Sequence, residues 1–112
     1  MNRIEQLEVF LKESPEDPFL YYALTMEYLK IKDIQKTRDG FENLLSKFPD
    51  YVGSYYHYGK FLENNGETAS AEQIYKQGIQ VATKMRNMHA KSELLGALNL
   101  LLGFADEEDD ED

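Results

Sequence analysis

His57 and His89 are the side chains best suited to acid–base or metal chemistry near neutral pH, and their surroundings in the sequence support neither role. A helical zinc site needs a second histidine four residues along, and neither has one. Carboxylates are plentiful, with 21 Asp and Glu, yet no motif fixes a pair of them beside a nucleophile. Gly40, Gly53, Gly59, Gly66, Gly78, Gly96 and Gly103 are dispersed through helical patterns and form no phosphate-binding loop. The absence of cysteine excludes thiolate catalysis, disulfides and Cys-based metal sites. The chain is therefore expected not to be an enzyme and to need no cofactor or metal.

What the side chains do offer is contact area, because 8 Tyr and 6 Phe stand among 112 residues. The formal charge of −9 is concentrated in the run from Asp106 to Asp112, whose seven acids leave the remainder at −2. That run reads as a disordered acidic tail, since like charges repel and no Gly-containing calcium loop is present. A near-neutral body without a basic helix face gives nucleic acid no field to follow, so no nucleic-acid partner is expected. The apolar stretch 94–105 is interrupted by Asn99 and is shorter than the roughly 20 residues of a membrane helix. The first thirteen residues interleave charges with apolar side chains, unlike a signal peptide. A cytoplasmic protein with no membrane partner is predicted.

Helical elements must position whatever surface functions. Ile4, Leu7, Phe10 and Leu11 recur at helical spacing until Ser14-Pro15-Glu16-Asp17-Pro18, where two prolines make continuation unfavourable. Asp17 suits an N-cap and Pro18 a first helical position, opening a helix to about Ile31. After Lys32-Asp33, the residues Ile34, Thr37, Phe41, Leu44, Leu45 and Phe48 share one face until Pro49-Asp50. A second hairpin follows, with an Asp50 cap, a helix to about Asn64, a turn at Asn65-Gly66 and a helix over about 68–84. Beyond it, Ala90, Leu94, Ala97, Leu98, Leu101 and Leu102 make an apolar stripe that predicts a last helix over about 88–102, stopped at Gly103 with Phe104 folding back on its end.

The two hairpins are copies. Tyr21 and Tyr55, Leu24 and Tyr58, Tyr28 and Leu62, Phe41 and Tyr75, and Pro49 and Thr83 each lie 34 residues apart, a period of helix–turn–helix repeats. Pro15 and Leu7 extend the frame backwards by one more interval, so the opening helix reads as the second half of a repeat. The frame fails after Thr83, because Glu93 stands where Gly59 would recur. The last helix is therefore a cap for the apolar face that a terminal repeat would otherwise expose.

These residues resemble the tetratricopeptide repeat, in which a bulky aromatic, Leu-Gly, Tyr, a small residue, an aromatic and a closing proline recur. Tyr21, Leu24, Tyr28, Phe41 and Pro49 fit it in the first copy, and Gly59, Ala71 and Tyr75 in the second. Tyr58, Leu62, Gly78 and Thr83 depart from it. The resemblance implies an all-α fold, a short right-handed superhelix of about two full repeats (18–51 and 52–85), an N-terminal half repeat and a C-terminal capping helix. The domain would span 1–104, with 105–112 as the tail. It further implies protein–protein interaction, with the first helix of each pair lining a concave groove that takes a peptide or protein segment.

Residues on those first helices that lie off the packing motif are the candidates for recognition. On the first they are Phe19, Tyr22, Met26 and Leu29, an apolar stripe; on the second they are Gly53, Tyr56, Lys60 and Glu63, with His57 beside them. Phe19, Tyr22, Met26, Tyr56, His57 and Lys60 form the predicted peptide-binding set, with interhelical packing as the alternative role of Phe19, Leu29, Tyr22 and Tyr56. The basic and amide clamp by which one branch of the family holds acidic C-termini is missing, since Tyr22 and Met26 occupy its places. The competing expectation is self-association as a structural scaffold or homodimer through the same faces or the opening helix.

Overall fold

The computed structural model describes residues 1–103, and the Gly103-Phe104 fold-back and the acidic tail lie outside them. Among the described residues there are six helices and no strand: α1 (Arg3–Glu13), α2 (Pro18–Lys30), α3 (Ile34–Lys47), α4 (Gly53–Asn64), α5 (Thr68–Lys84) and α6 (Met88–Leu101). They fall into two compact units, Met1–Tyr51 and the chain from Val52 onward.

In the first unit α2 packs against both α1 and α3. The entry to α1 is a capping box: Asn2 Oδ1 accepts from the Glu5 amide at 2.9 Å, and Glu5 Oε1 accepts from the Asn2 amide at 3.1 Å. Asp17 caps α2 by accepting from the Phe19 amide at 3.0 Å, with Pro18 in the first helical position as its missing N–H predicts. The core of this unit is built on Leu7, Thr25, Thr37, Phe41 and Leu44, all buried. Gly40 lets α3 approach α2 closely, since a Cβ there would lie 2.2 Å from Thr25 Oγ1.

In the second unit α4, α5 and α6 pack pairwise around Tyr55, Tyr75, Leu94 and Ala82, none of which is exposed at all. Here both helices of the pair carry a small residue: Gly59 on α4 makes room for the Tyr75 ring, and Gly78 on α5 for Tyr55, whose Cβ a methyl group there would meet at 2.6 Å.

Three helices stop in the same way. Lys32 (φ 63°), Gly66 (φ 77°) and Arg86 (φ 57°) are left-handed, and the residue after each donates back to the carbonyl five residues earlier, in Tyr28, Leu62 and Ala82. The first two are 34 residues apart, so the repeat is visible in the backbone as well as in the side chains.

Four expectations need correction. Asp50 does not cap α4, which starts at Gly53 behind Val52 with no side-chain cap; the segment Phe48–Tyr51 instead closes a turn, with the Tyr51 amide donating to the Phe48 carbonyl at 3.0 Å. Phe10 and Ile34 share the predicted apolar faces but are 46% and 43% exposed. Leu102 lies beyond the end of α6 and is exposed. Tyr21 and Tyr28, unlike Tyr55, Tyr58 and Tyr75, are only half-buried and line an open cavity of about 310 Å³ between α2 and α3.

Candidate functional site

The predicted residues fall into two groups, one in each unit. In the first unit the Asp17 cap fixes where α2 begins, and one turn of helix then places Phe19 and Tyr22 side by side, ring centroids 6.4 Å apart and tilted by 38°. Phe19 is 53% exposed, while Tyr22 and Met26 are half-buried. Tyr51 adds a third ring, 5.8 Å from Tyr22 and tilted by 54°. Tyr51 lies in the turn after Pro49-Asp50 and on no helix face, so helical periodicity does not mark it; an aromatic residue just past such a turn is its only sequence signal.

Beside this row lies a pocket of about 390 Å³ lined by Pro18, Lys47, Phe48, Pro49, Asp50 and Tyr51. Phe48 meets Tyr21 at 5.6 Å, Lys47 Nζ stands 5.6 Å from the Tyr21 ring centre, and the Tyr21 hydroxyl donates to the Pro15 carbonyl at 2.7 Å. Burial raises the pKa of the Tyr22 phenol, with a smaller push from Tyr51. Burial likewise raises that of Tyr51, helped by the negative charge of Asp17. Both phenols therefore keep their protons through the neutral range and can donate hydrogen bonds.

In the second unit Tyr56, His57 and Lys60 come together on α4. The Tyr56 and His57 rings meet edge to face at 5.4 Å, and Lys60 Nζ lies 5.7 Å from the centre of the Tyr56 ring and 3.7 Å from Glu63 Oε2. Glu63 also accepts a hydrogen bond from the Tyr75 hydroxyl on α5. Burial lowers the His57 pKa, opposed in part by the charge of Glu93 on α6. This group is polar and braced by its neighbours, whereas the α2 group is aromatic. Among the described residues no cluster of three or more His, Asp or Glu could hold a metal ion, and no helix is long and apolar enough to cross a membrane.

Comparison with known proteins places this geometry. Residues 5–91 match the family described as PRP39 N-terminal HAT repeat, a repeat of tetratricopeptide type. A tetratricopeptide repeat domain protein from Salinibacter ruber, solved by NMR, is 42% identical with a TM-score of 0.77, over 80% of this chain and 91% of that one. A crystal structure of a tetratricopeptide repeat domain protein from the same organism is 41% identical with a TM-score of 0.74, over 78% and 98% of the two chains. A TPR repeat-containing protein of Pseudomonas aeruginosa is 25% identical over 91 residues, covering 81% of this chain and 87% of the relative. The chain belongs to the tetratricopeptide-like helical repeat family. Membership supports a general role as a protein-interaction module, of a kind that is typically non-catalytic.

Proposed function

We propose that this protein binds a peptide or protein segment, without catalysis, on the faces of α2 and α4 that the repeat packing does not use. The observation that carries this reading is the row Phe19, Tyr22 and Tyr51: three rings in contact, one of them more than half exposed, none at a position of the 34-residue packing pattern. Aromatic side chains of this kind give large contact area at low entropic cost and are enriched among residues that dominate interfaces. The second unit carries its own, separate candidate surface on α4, where Tyr56, His57 and Lys60 offer a hydroxyl, an imidazole and a cation. A chain without cysteine suits a reducing compartment, and a cytoplasmic setting as an adaptor is part of the proposal.

The test is capture from native lysate on the immobilised chain, with Tyr22→Ala and Tyr56→Ala as paired variants and helicity followed by circular dichroism. Capture should fall while helicity holds; capture that survives both substitutions moves the site elsewhere. Self-association is the second reading, favoured by the exposure of Val9 and Phe10 on α1, 42% and 46%. Light scattering over a concentration series separates the two, since a strict monomer removes self-association as the main role.

A further inference from the structure

We infer that the Phe19–Tyr22–Tyr51 row and the pocket beside it form a site for a proline-rich segment in the polyproline II conformation, carrying a basic residue next to its prolines. This rests on the reading of the chain as a protein-interaction module and names the chemistry of the partner.

The shape comes first. The three rings follow one another at 6.4 and 5.8 Å with tilts of 38° and 54°, so they form open wedges and not closed stacks. A polyproline II helix has three residues per turn and presents flat pyrrolidine rings, which aromatic-lined grooves of this kind accept without first ordering the ligand. The adjoining pocket of about 390 Å³ continues the apolar surface with Phe48 and two further rigid walls, Pro18 and Pro49. It lies within the usual range for a small binding cleft.

Hydrogen bonding points the same way. A polyproline II backbone makes no internal hydrogen bonds, so its carbonyls need donors from the partner. The Tyr51 phenol, which lines the pocket and is held protonated by its surroundings, is a donor at the end of the row. Proline itself has no N–H, so the site has no need of a matching row of acceptors.

Charge selects the flanking residue. Asp50 lines the pocket and Asp17 acts on Tyr51, two carboxylates against one cation, Lys47, which already lies against Tyr21. The acidic rim complements a Lys or Arg and repels an acidic peptide. The site is also held in place before any ligand arrives, through the Asp17–Phe19 cap and the Tyr51–Phe48 turn bond, which limits the entropy lost on binding.

The full chain should be titrated with a synthetic oligoproline ending in a pair of arginines, following backbone amide shifts by NMR. The controls are the same peptide with alanine for proline and with glutamate for arginine. Saturable shifts centred on Phe19, Tyr22 and Tyr51 are expected from the first peptide, with affinity lowered roughly tenfold in Tyr51→Ala. Asp17→Asn retains an N-cap and removes only the charge, so it should weaken the arginine peptide roughly threefold and leave plain oligoproline unchanged. Equal or tighter binding of the alanine or glutamate peptide overturns the assignment. So does the absence of shifts in this row; if the partner captured from lysate still perturbs Phe19 and Tyr22, the α2 surface survives as the recognition site with another ligand chemistry, and if it perturbs neither, recognition on α2 falls as well.

Discussion

Tyr75 occupies the space that a side chain at Gly59 would fill: a methyl group there would lie 2.2 Å from Cε1 of the ring. The ring is completely buried and cannot swing aside. Gly59→Ala should therefore destabilise the chain by about 1 to 3 kcal/mol, the range for overpacking a tight core. Thermal unfolding measures this directly; a change within experimental error would mean that α4 and α5 separate more easily than the contact implies.

Tyr75 also donates to Glu63, and its burial and that carboxylate together push the phenol pKa far above the ordinary 10.0. Because the folded-state pKa is raised, the associated stability is complete below about pH 10 and is lost as pH rises beyond it. Tyr22 and Tyr51 shift in the same direction. Alkaline unfolding should thus begin as the unfolded-state tyrosines ionise, and Tyr75→Phe should shift its onset upward. At neutral pH the same substitution should cost about 1 kcal/mol for the lost hydrogen bond.

His57 behaves oppositely. Burial lowers its pKa below 6.5, so the stability linked to the neutral ring is present above pH 6.5 and declines as pH falls through the folded-state value. An NMR titration of the ring should place its midpoint below the ordinary 6.5. Glu93→Gln removes the one charge that opposes the shift and should move the His57 midpoint further down.

Lys32 and Arg86 adopt left-handed backbone where Gly66 does the same without a Cβ. Lys32→Gly and Arg86→Gly should each stabilise the chain by about 0.5 to 1 kcal/mol, since a left-handed conformation strains an ordinary side chain. Denaturant midpoints of the single and double variants check this, and the two effects should add because the sites lie in different units.

Which parts of this structure can be read from the residues follows from how local each signal is. Helix ends marked by Pro18, Gly66 and Gly103 are set by backbone sterics and were legible to within a residue or so. The start of α4 was not, because Pro49-Asp50 invites a cap at Asp50 while the turn closed by Phe48 and Tyr51 moves the cap two residues on, to Val52. Periodicity identified Phe41, Tyr55 and Tyr75 as core, since each is held by the repeat itself. It overstated Tyr21 and Tyr28, whose exposure depends on what lies against them and not on their own pattern. For the same reason Tyr51 was invisible: a ring in a turn acquires its role only from the tertiary contact with Tyr22.

The shared left-handed stops have a consequence for which insertions the fold can absorb. Side-chain identity drifts freely between copies, as Lys32 against Gly66 illustrates, but the left-handed stop does not, so what the copies share is the phase of each helix. One residue inserted within α3 would rotate the rest of that helix by about 100°, swinging Phe41 and Leu44 off the buried face. The same residue inserted between Pro49 and Tyr51, outside any helix, changes length without changing phase. Natural variation in chain length should accordingly collect at that turn, beside the aromatic row, where it would reshape what the surface recognises and leave the scaffold untouched.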